Sequence, residues 1–283
     1  MIYIVIPCYN EQEVLGDTTE KLIAILSSIP MPTRILFVDD GSKDKTWLLI
    51  TKLSKVNANV IGLRLSHNVG QQTAIWAGME SCINDADAVI CMDADLQDDI
   101  NMLPRMVQDF QDGYDVVYGV RNNRASDTFF KRSLAQTFYK SMKWLGCEIV
   151  EDHADFRLLS KRASQALLSY PERNLFIRCM IPQLGFNTKN EYYTRRARRA
   201  GVTKYPFIKQ LKFAIDGITN FSTRPIRWIQ LMGFTCILVS LGVITWAFIN
   251  FMLGKTNQGW PSLLISLWLL CGVVLVSIGI IGA

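Results

Sequence analysis

The sequence lacks several patterns that would point to common classes of protein. Its seven cysteines include no C-x-x-C pair and no cysteine–histidine cluster. That distribution argues against a disulfide scaffold or a zinc site and favours a reducing compartment. Neither G-x-G-x-x-G nor G-x-x-x-x-G-K-[ST] occurs, so neither a dinucleotide fold nor a P-loop is indicated. A hydrophobic content of 49% excludes a disordered chain.

Charge is almost absent from the last part of the 283-residue chain. Of its 30 Lys and Arg and 25 Asp and Glu residues, only Lys255 lies beyond Arg227. The 27 residues between these two and the 28 residues after Lys255 carry no charge. About 20 apolar residues are enough to cross a bilayer, so the sequence predicts a hairpin of two transmembrane helices over residues 229–283.

A strongly basic segment lies immediately before these spans. Residues 195–227 contain nine Lys or Arg and one Asp, net +8, whereas residues 1–194 contain 20 basic and 24 acidic side chains, net −4. Apolar residues recur at helical spacing from Phe207 to Phe221, which predicts an amphipathic helix on an anionic membrane surface rather than a nucleic-acid-binding region. The positive-inside bias places residues 1–227 in the cytoplasm.

The first part of the chain alternates short apolar runs with stretches of helical periodicity. The runs are Ile2–Pro7, Arg34–Val38, Val60–Leu65, Ala88–Met92 and Asp115–Tyr118. Strands that alternate with helices of about 10–15 residues indicate β–α–β units. The predicted fold is therefore α/β, with a mainly parallel sheet and flanking helices.

Polar side chains follow three of these runs. They are Asn10 and Glu11 after the first run, Asp39 and Asp40 after the second, and Asp93 and Asp95 after the fourth. Ligands of parallel sheets bind beyond the carboxyl ends of the strands, so these side chains predict one shared site. The paired carboxylates of Asp93-Ala94-Asp95, with Gln97 close behind, suit Mg²⁺ or Mn²⁺ bridging the oxygens of a diphosphate.

Six short segments occur in a fixed order along the chain. They are Pro7-Cys8-Tyr9-Asn10-Glu11, Val38-Asp39-Asp40-Gly41-Ser42-Lys43-Asp44, Asn68-Val69-Gly70, Met92-Asp93-Ala94-Asp95-Leu96-Gln97-Asp98, Gly113-Tyr114-Asp115-Val116-Val117 and Ala154-Asp155-Phe156-Arg157-Leu158. In these segments the chain resembles family 2 glycosyltransferases with the Rossmann-like GT-A fold. Within that family it is most similar to the polyprenyl-phosphate glycosyltransferases, which include the bactoprenol glucosyltransferases and dolichol-phosphate mannose synthase. The resemblance extends over nearly the whole chain.

The resemblance implies roles for individual residues. Contacts to a nucleotide-sugar donor are implied for Pro7, Asn10, Glu11, Asp39, Asp40, Asp93, Asp95, Gln97 and Arg121. Among these, Asp93, Asp95 and Gln97 would also hold a metal ion. Asp155 and Arg157 match the catalytic positions near the transfer site. Phosphate or lipid contacts are implied for Arg195, Arg198 and Lys204.

The resemblance also implies a reaction and a location. The reaction is inverting transfer of one sugar, with UDP-glucose the favoured donor, to a polyprenyl phosphate such as undecaprenyl phosphate, assisted by Mg²⁺ or Mn²⁺. The acceptor oxygen is already anionic near neutral pH, so alignment and stabilisation of the leaving diphosphate matter more than a strong base. The protein is expected to be a multi-pass protein of the inner membrane and a homo-oligomer, a tetramer by resemblance.

This interpretation divides the chain into three parts. Residues 1–165 would form the cytoplasmic catalytic domain, residues 166–228 the acceptor loop and the amphipathic juxtamembrane region, and residues 229–283 the two transmembrane helices. Two positions depart from the family pattern. His67 stands where relatives often have arginine, and Gln71-Gln72 replaces a more usual Lys or His followed by Glu or Gln.

There are three alternatives to this interpretation. The donor could instead be GDP-mannose, a UDP-N-acetylhexosamine or UDP-aminoarabinose. The chain could be a non-catalytic membrane partner of a glycosylation complex, although it retains every carboxylate named above. A processive polysaccharide synthase of the same fold would carry Q-x-x-R-W, but Arg224 stands where that motif needs glutamine before Arg227-Trp228.

Overall fold

A computed structural model of the chain describes residues 1–121, 153–171, 177–194, 224–254 and 260–281. The strands are β1 (Ile2–Cys8), β2 (Thr33–Asp39), β3 (Val60–Arg64), β4 (Ala88–Cys91), β5 (Val116–Arg121), β6 (His153–Ser160) and β7 (Thr188–Tyr193). The helices are α1 (Leu15–Leu26), α2 (Thr46–Val56), α3 (Gln71–Cys82), α4 (Leu103–Gln111), α5 (Lys161–Leu168), α6 (Ile177–Gln183), α7 (Arg224–Met252) and α8 (Trp260–Ile281). A 3₁₀ turn, Ile100–Met102, precedes α4.

The described strands form one mixed sheet of seven strands in the order β3-β2-β1-β4-β6-β5-β7. Strands β1 to β4 are parallel to their neighbours in this group, and β5 is parallel to β7. Strand β6 runs antiparallel to both β4 and β5. The predicted α/β fold with a mainly parallel sheet and flanking helices is confirmed, and its architecture is that of the GT-A fold.

The core explains why the parallel strands have nearly continuous apolar sequences. Strands covered on both faces need apolar side chains at every position. In β1, residues 2–6 are almost wholly buried, and β4 is buried throughout. Helix α3 lies directly on β1 and β2, because a Cβ atom on Gly78 would come within 2.4 Å of Val5 Cγ1. That contact fixes where the first residue of α3 lies relative to the sheet edge.

Four described elements were not predicted from periodicity: β6, β7, α5 and α6. Strand β6 contains two buried charged residues, Asp155 at 6% exposure and Arg157 at 0%. The strand is therefore buried without having an apolar sequence that could predict it. In β7 the sequence Thr188-Lys189-Asn190-Glu191-Tyr192-Tyr193 is mostly polar, because it forms an edge strand with one face towards solvent. Helices α5 and α6 have only eight and seven residues, which is too short for a clear period.

The apolar C-terminal part contains one described helix that could cross a membrane by length and composition. It covers Ile226–Met252 within α7, with a mean hydropathy of 2.1. In α8 the corresponding apolar stretch is shorter, Ile265–Ile281. Helices α7 and α8 pack closely, because a Cβ atom on Gly233 would lie 2.7 Å from the backbone nitrogen of Val276. The first predicted span is therefore supported, and the complete transmembrane hairpin stays a prediction.

The chain divides into two compact units, residues 1–139 with 148–209, and residues 140–147 with 210–283. The predicted three-part division at residues 165 and 228 stays a prediction. The predicted phosphate or lipid contacts at Arg195, Arg198 and Lys204 lie outside the described residues, as does the amphipathic helix from Phe207 to Phe221.

The turn after β2 supplies a stability test close to the predicted site. Gly41 has φ +67°, and a Cβ atom there would lie 2.6 Å from the carbonyl carbon of His67. We expect Gly41→Ala to lower the free energy of unfolding by about 3 kcal/mol, because both the backbone conformation and the contact become unfavourable. The control is Gly16→Ala in α1, where no heavy atom lies within 4 Å. Thermal unfolding in detergent that shifts equally in both variants would contradict the prediction.

Candidate active site

The sheet topology brings residues from distant parts of the chain to one edge. Strands β1, β2 and β4 end at this edge, and the antiparallel β6 begins there. Cys91 of β4 pairs with Arg157 of β6. Asp93 lies two residues after Cys91, and Asp155 lies two residues before Arg157. Because the two strands are antiparallel, both carboxylates come to the same edge of the sheet. The register therefore brings these two predicted residues to one edge, and a single site shared by all the polar residues at the strand ends stays a prediction.

The loops after β1 and β2 are joined by hydrogen bonds. The backbone nitrogen of Asn10 donates to Ser42 Oγ at 2.9 Å, and the backbone nitrogen of Lys43 donates to Asn10 Oδ1 at 2.8 Å. The backbone nitrogen of Glu11 donates to Thr46 Oγ1 at 2.8 Å. Asn10 has φ +53°, a conformation that asparagine tolerates better than most residues. The structure therefore places the predicted donor residues Asn10 and Glu11 beside the turn after β2.

Asp39 and Pro7 lie at the ends of β2 and β1, where the sequence predicted contacts to the donor. Pro7 pairs with Val38 in the parallel register, one residue before the end of β1. The Asp39 side chain is fully buried, and its Oδ1 accepts a hydrogen bond from the Ser42 backbone nitrogen at 3.1 Å. Its Oδ2 lies 3.4 Å from Nε of the half-exposed Arg64. One oxygen of Asp39 thus stabilises the turn after β2, and the other faces the Arg64 guanidinium.

Asp40 holds the loop that leads into α3. Its Oδ1 accepts from the Val69 backbone nitrogen at 2.7 Å, and its Oδ2 accepts from the Gly70 backbone nitrogen at 3.0 Å and from Asn68 Nδ2 at 2.9 Å. Burial raises the pKa of the Asp40 carboxyl, and the two backbone hydrogen bonds act in the opposite direction. The contacts give Asp40 a structural task next to the site, and a donor contact for it stays a prediction.

Asp93 is the most strongly perturbed carboxyl group of the described site. Its Oδ1 accepts a hydrogen bond from Gln71 Nε2 at 2.7 Å. Burial, followed by the nearby carboxylates of Asp98, Asp155 and Asp95, raises the pKa of Asp93 to about 8. The carboxylates around Asp93 therefore outweigh the positive charge of nearby arginine side chains such as Arg178. A bound divalent cation would reduce the repulsion between these carboxylates.

The residues around Asp93 fit a cation that is shared with a phosphate ligand. No group of three or more His, Cys, Asp or Glu side chains within the described ranges could hold a metal ion by itself. Mg²⁺ usually takes one or two carboxylates and completes its shell with water and substrate phosphates. Asp95 follows Asp93 closely, and its Oδ1 accepts from the Gln97 backbone nitrogen at 3.2 Å, which orders this turn. The donor set suits a metal–diphosphate complex better than a metal site made of protein alone.

Asp155 is held by two arginine side chains. Arg157 Nη2 donates to Asp155 Oδ1 at 2.9 Å, and the Arg157 side chain is fully buried. Arg178 donates with Nε to Oδ1 and with Nη2 to Oδ2, both at 3.0 Å. Gln71 Nε2 lies 3.3 Å from Oδ2. A carboxylate that accepts from two guanidinium groups is poorly suited to take a proton, so this arrangement favours a role in orientation.

A second polar cluster surrounds Arg121 at the end of β5. Arg121 Nη2 lies 3.5 Å from Asp98 Oδ1, and Arg121 Nε donates to the Tyr193 hydroxyl at 3.3 Å. The Tyr193 hydroxyl in turn donates to Asp98 Oδ1. The Asp98 carboxylate raises the pKa of the Arg121 guanidinium, although burial acts against this. Arg121 therefore stays charged and is fixed at the same edge as Asp93.

The sequence-based reasoning missed several residues that complete the site. Among them are Gln71, Asp98, Arg178 and Tyr193. A signal existed for Gln71, because the sequence departs from the family pattern at this residue and the residue directly follows Asn68-Val69-Gly70. For Arg178 there was none, since α6 is short and its sequence has no motif. Of the predicted residues, Asp93, Asp155 and Arg157 are brought together directly by hydrogen bonds through Gln71 and Asp155.

Comparisons with known proteins identify a family and relatives for this chain. The model of the family described as glycosyl transferase family 2 matches residues 3–168. The uncharacterized glycosyltransferase YkoT of Bacillus subtilis (strain 168) is 47% identical over 288 residues, which cover 100% of this chain and 86% of that protein. The bactoprenol glucosyl transferase of Shigella phage SfX is 34% identical over 283 residues, 99% of this chain and 92% of that protein. The crystal structure of a mycobacterial protein has a TM-score of 0.53 at 17% identity, covers 77% of this chain and 72% of that chain, and supports the fold alone.

Proposed function

Because the chain belongs to glycosyl transferase family 2, we propose that it transfers one sugar from a nucleotide-sugar donor to a polyprenyl phosphate, with inversion at the anomeric carbon. The proposal of a polyprenyl-phosphate acceptor rests on the similarity to a bactoprenol glucosyl transferase, at 34% identity over 99% of this chain. That similarity spans α7 as well as the catalytic edge. An acceptor with its tail in a bilayer would require a protein that stays at the membrane.

The favoured donor is UDP-glucose. The relative's name specifies glucosyl transfer, and the loops that carry Pro7, Asn10, Glu11 and Asp39 offer polar atoms for a nucleotide at the strand ends. GDP-mannose, a UDP-N-acetylhexosamine and UDP-aminoarabinose are the alternatives. The acceptor class does not depend on which of these donors is used.

The donor side of the reaction is assigned to Asp93, Asp95 and Gln97. These residues would hold Mg²⁺ or Mn²⁺, which neutralises the charge that grows on the departing nucleoside diphosphate. Gln71 Nε2 donates to Asp93 Oδ1, which would leave Oδ2 to face the cation. Arg121, fixed by Asp98 and Tyr193, would add a positive charge near the sugar or the diphosphate.

The acceptor side is assigned to Asp155, Arg157 and the basic residues Arg195, Arg198 and Lys204. An anionic phosphate oxygen needs no proton removed, so the main task is in-line alignment with the anomeric carbon. Asp155 would orient the acceptor region through the guanidinium groups that it holds, among them the partly exposed Arg178. The basic residues would contact the lipid phosphate.

The membrane setting belongs to the same proposal. Helix α7 would anchor the enzyme, α8 would complete a two-span hairpin, and residues 1–227 would face the cytoplasm at the inner membrane. Residues 1–165 would act as the catalytic domain and residues 166–228 as the acceptor and juxtamembrane region. Self-association as a homo-oligomer, a tetramer by family resemblance, completes the proposal.

A product assay tests the function. Membranes that contain the full chain are incubated with undecaprenyl phosphate and a panel of labelled nucleotide sugars, with Mg²⁺ or with EDTA, and the lipid is extracted. We expect one labelled lipid that carries a single sugar, formed from UDP-glucose and lost with EDTA. A polymer would indicate a processive synthase. No product from any donor, together with no metal-dependent binding of a nucleotide sugar, would indicate a non-catalytic partner and overturn the proposal.

A further inference from the structure

The Gln71 side chain lies between two carboxylates that come from different strands. Its Nε2 is 2.7 Å from Asp93 Oδ1 and 3.3 Å from Asp155 Oδ2. Asp93 follows β4 and belongs to the donor side of the proposed reaction, whereas Asp155 lies in β6 on the acceptor side. Gln71 is thus the described side chain that contacts both halves of the site.

The backbone around Gln71 is fixed from two directions. The amide nitrogen of Gly70, directly before it, donates to Asp40 Oδ2 at 3.0 Å. Further along α3, Gly78 lies so close to Val5 that a Cβ atom there would be 2.4 Å from Val5 Cγ1. The first residue of α3 can therefore move little relative to the strand ends. Because its backbone is fixed, the Gln71 side chain can determine where Asp93 and Asp155 lie.

The chemistry of an amide suits this place. A glutamine NH₂ group has two donors and no charge, so it can serve two carboxylates at once without changing the net charge of the site. Asp93 and Asp155 repel one another when both are ionised. The shared amide keeps them together, and it uses one oxygen of Asp93 while leaving Oδ2 available for a cation. A lysine here would neutralise one carboxylate, and a glutamate would add a third.

We propose that Gln71 is a positioning residue that sets the placement of the donor-side carboxylate Asp93 relative to the acceptor-side carboxylate Asp155. It acts through these two residues and touches neither substrate nor metal in this role. The inference rests on the proposed function, because it gives the two carboxylates their tasks. Its consequence is that substitutions of Gln71 change the rate of transfer at saturating donor more than the affinity for the donor.

The test uses the full chain in detergent, two variants of Gln71 and one control. Gln71→Met keeps the length of the side chain without a donor group, and Gln71→Glu converts the amide into a third carboxylate. The control, Gln108→Glu, makes the same change on the exposed face of α4, where Gln108 donates to Asp112. Binding of Mn²⁺, alone and in the presence of UDP, is measured by calorimetry or electron paramagnetic resonance, and sugar transfer is measured separately.

We expect opposite effects in Gln71→Glu: Mn²⁺ binds about tenfold more tightly, because the site gains a carboxylate, while kcat falls about 10²-fold through misalignment. In Gln71→Met we expect kcat to fall by at least about tenfold with the KM for the donor within about threefold of wild type. Gln108→Glu should match wild type in both measurements.

Three outcomes would overturn the inference. One is transfer within about twofold of wild type in both Gln71 variants, and a second is Mn²⁺ binding in Gln71→Glu that is unchanged or weaker. A parallel fall of kcat and Mn²⁺ affinity, with a lowered Tm in both variants, also counts against it, because that is the behaviour of a purely structural residue. If the wild-type chain transfers no sugar to undecaprenyl phosphate, the proposed function fails, and the Mn²⁺ measurements still decide whether Gln71 sits against a cation-binding carboxylate.

Discussion

Replacing Asp93 with asparagine is expected to lower sugar transfer by about 10³-fold while raising the thermal stability of the metal-free protein. Transfer is lost because an amide cannot supply the negative charge that holds a cation against a diphosphate, and such electrostatic stabilisation is often the largest single contribution to catalysis. The substitution keeps the shape of the side chain. An amide oxygen at the same place can still accept the hydrogen bond from Gln71 Nε2.

The gain in stability follows from the direction of the pKa shift. Burial and the neighbouring carboxylates raise the pKa of Asp93 to about 8 in the folded protein. A carboxyl whose folded pKa lies above its unfolded value destabilises the fold increasingly as pH rises from the unfolded towards the folded value. Asparagine removes that cost at neutral pH, and we expect Tm to rise by about 2–4 °C in EDTA. Excess Mg²⁺ should raise the Tm of the wild type and leave the variant unchanged.

A matched control separates this effect from a general loss of charge. Asp85 is exposed in the turn before β4, at the opposite edge of the sheet, and Asp85→Asn should change neither transfer nor the response of Tm to Mg²⁺. Thermal unfolding followed by intrinsic fluorescence, with EDTA and then with Mg²⁺, gives the Tm and its response to the metal, and the product assay measures transfer. An Asp93→Asn variant that keeps more than about a tenth of wild-type transfer would refute its role in metal binding.

The sequence predicted one half of the sheet well. Strands β1, β2 and β4 are apolar runs that end in polar residues, and parallel strands leave those residues at a common edge, so Asn10, Asp39 and Asp93 could be grouped from the sequence alone. The residues from about Gln71 to Cys82 also have helical periodicity, and α3 covers the same residues. Local pattern was sufficient here, because each strand is covered on both faces and each helix has a regular apolar stripe.

The other half depends on contacts that no local pattern encodes. Asp155 reaches Asp93 only because β6 runs antiparallel beside β4, and the pairing of Cys91 with Arg157 sets that register. Arg178 meets Asp155 from a seven-residue helix 23 positions further along the chain. The resemblance to known glycosyltransferases supplied Asp155 and Arg157 but neither Arg178 nor the link through Gln71. These are tertiary contacts between single side chains, which periodicity and composition do not register.

Replacing Asp155 with asparagine is expected to lower turnover by about 10²–10³-fold and to leave the affinity for the nucleotide sugar within about threefold of wild type. The donor should still bind because its proposed contacts lie at the ends of β1, β2, β4 and β5 and not at Asp155. Turnover should fall because Arg157 and Arg178 lose the carboxylate that holds both of them. Single-turnover transfer and binding of UDP-glucose by calorimetry would separate the two effects, and near-normal turnover would contradict a role for Asp155 at the transfer site.

The same substitution should destabilise the protein, which calls for a compensating change. The Arg157 side chain is 0% exposed, and breaking a buried ion pair from one side typically costs about 3–5 kcal/mol, because the remaining charge has no partner. Adding Arg157→Met removes that charge with an apolar side chain, so the double variant should recover much of the lost stability while transfer stays low. As a control, Asp115→Asn breaks the pair with the exposed Arg162 at the opposite edge of the sheet and should leave transfer unchanged. If the double variant regains transfer together with stability, the loss in Asp155→Asn was a folding defect, and Asp155 serves only to neutralise Arg157.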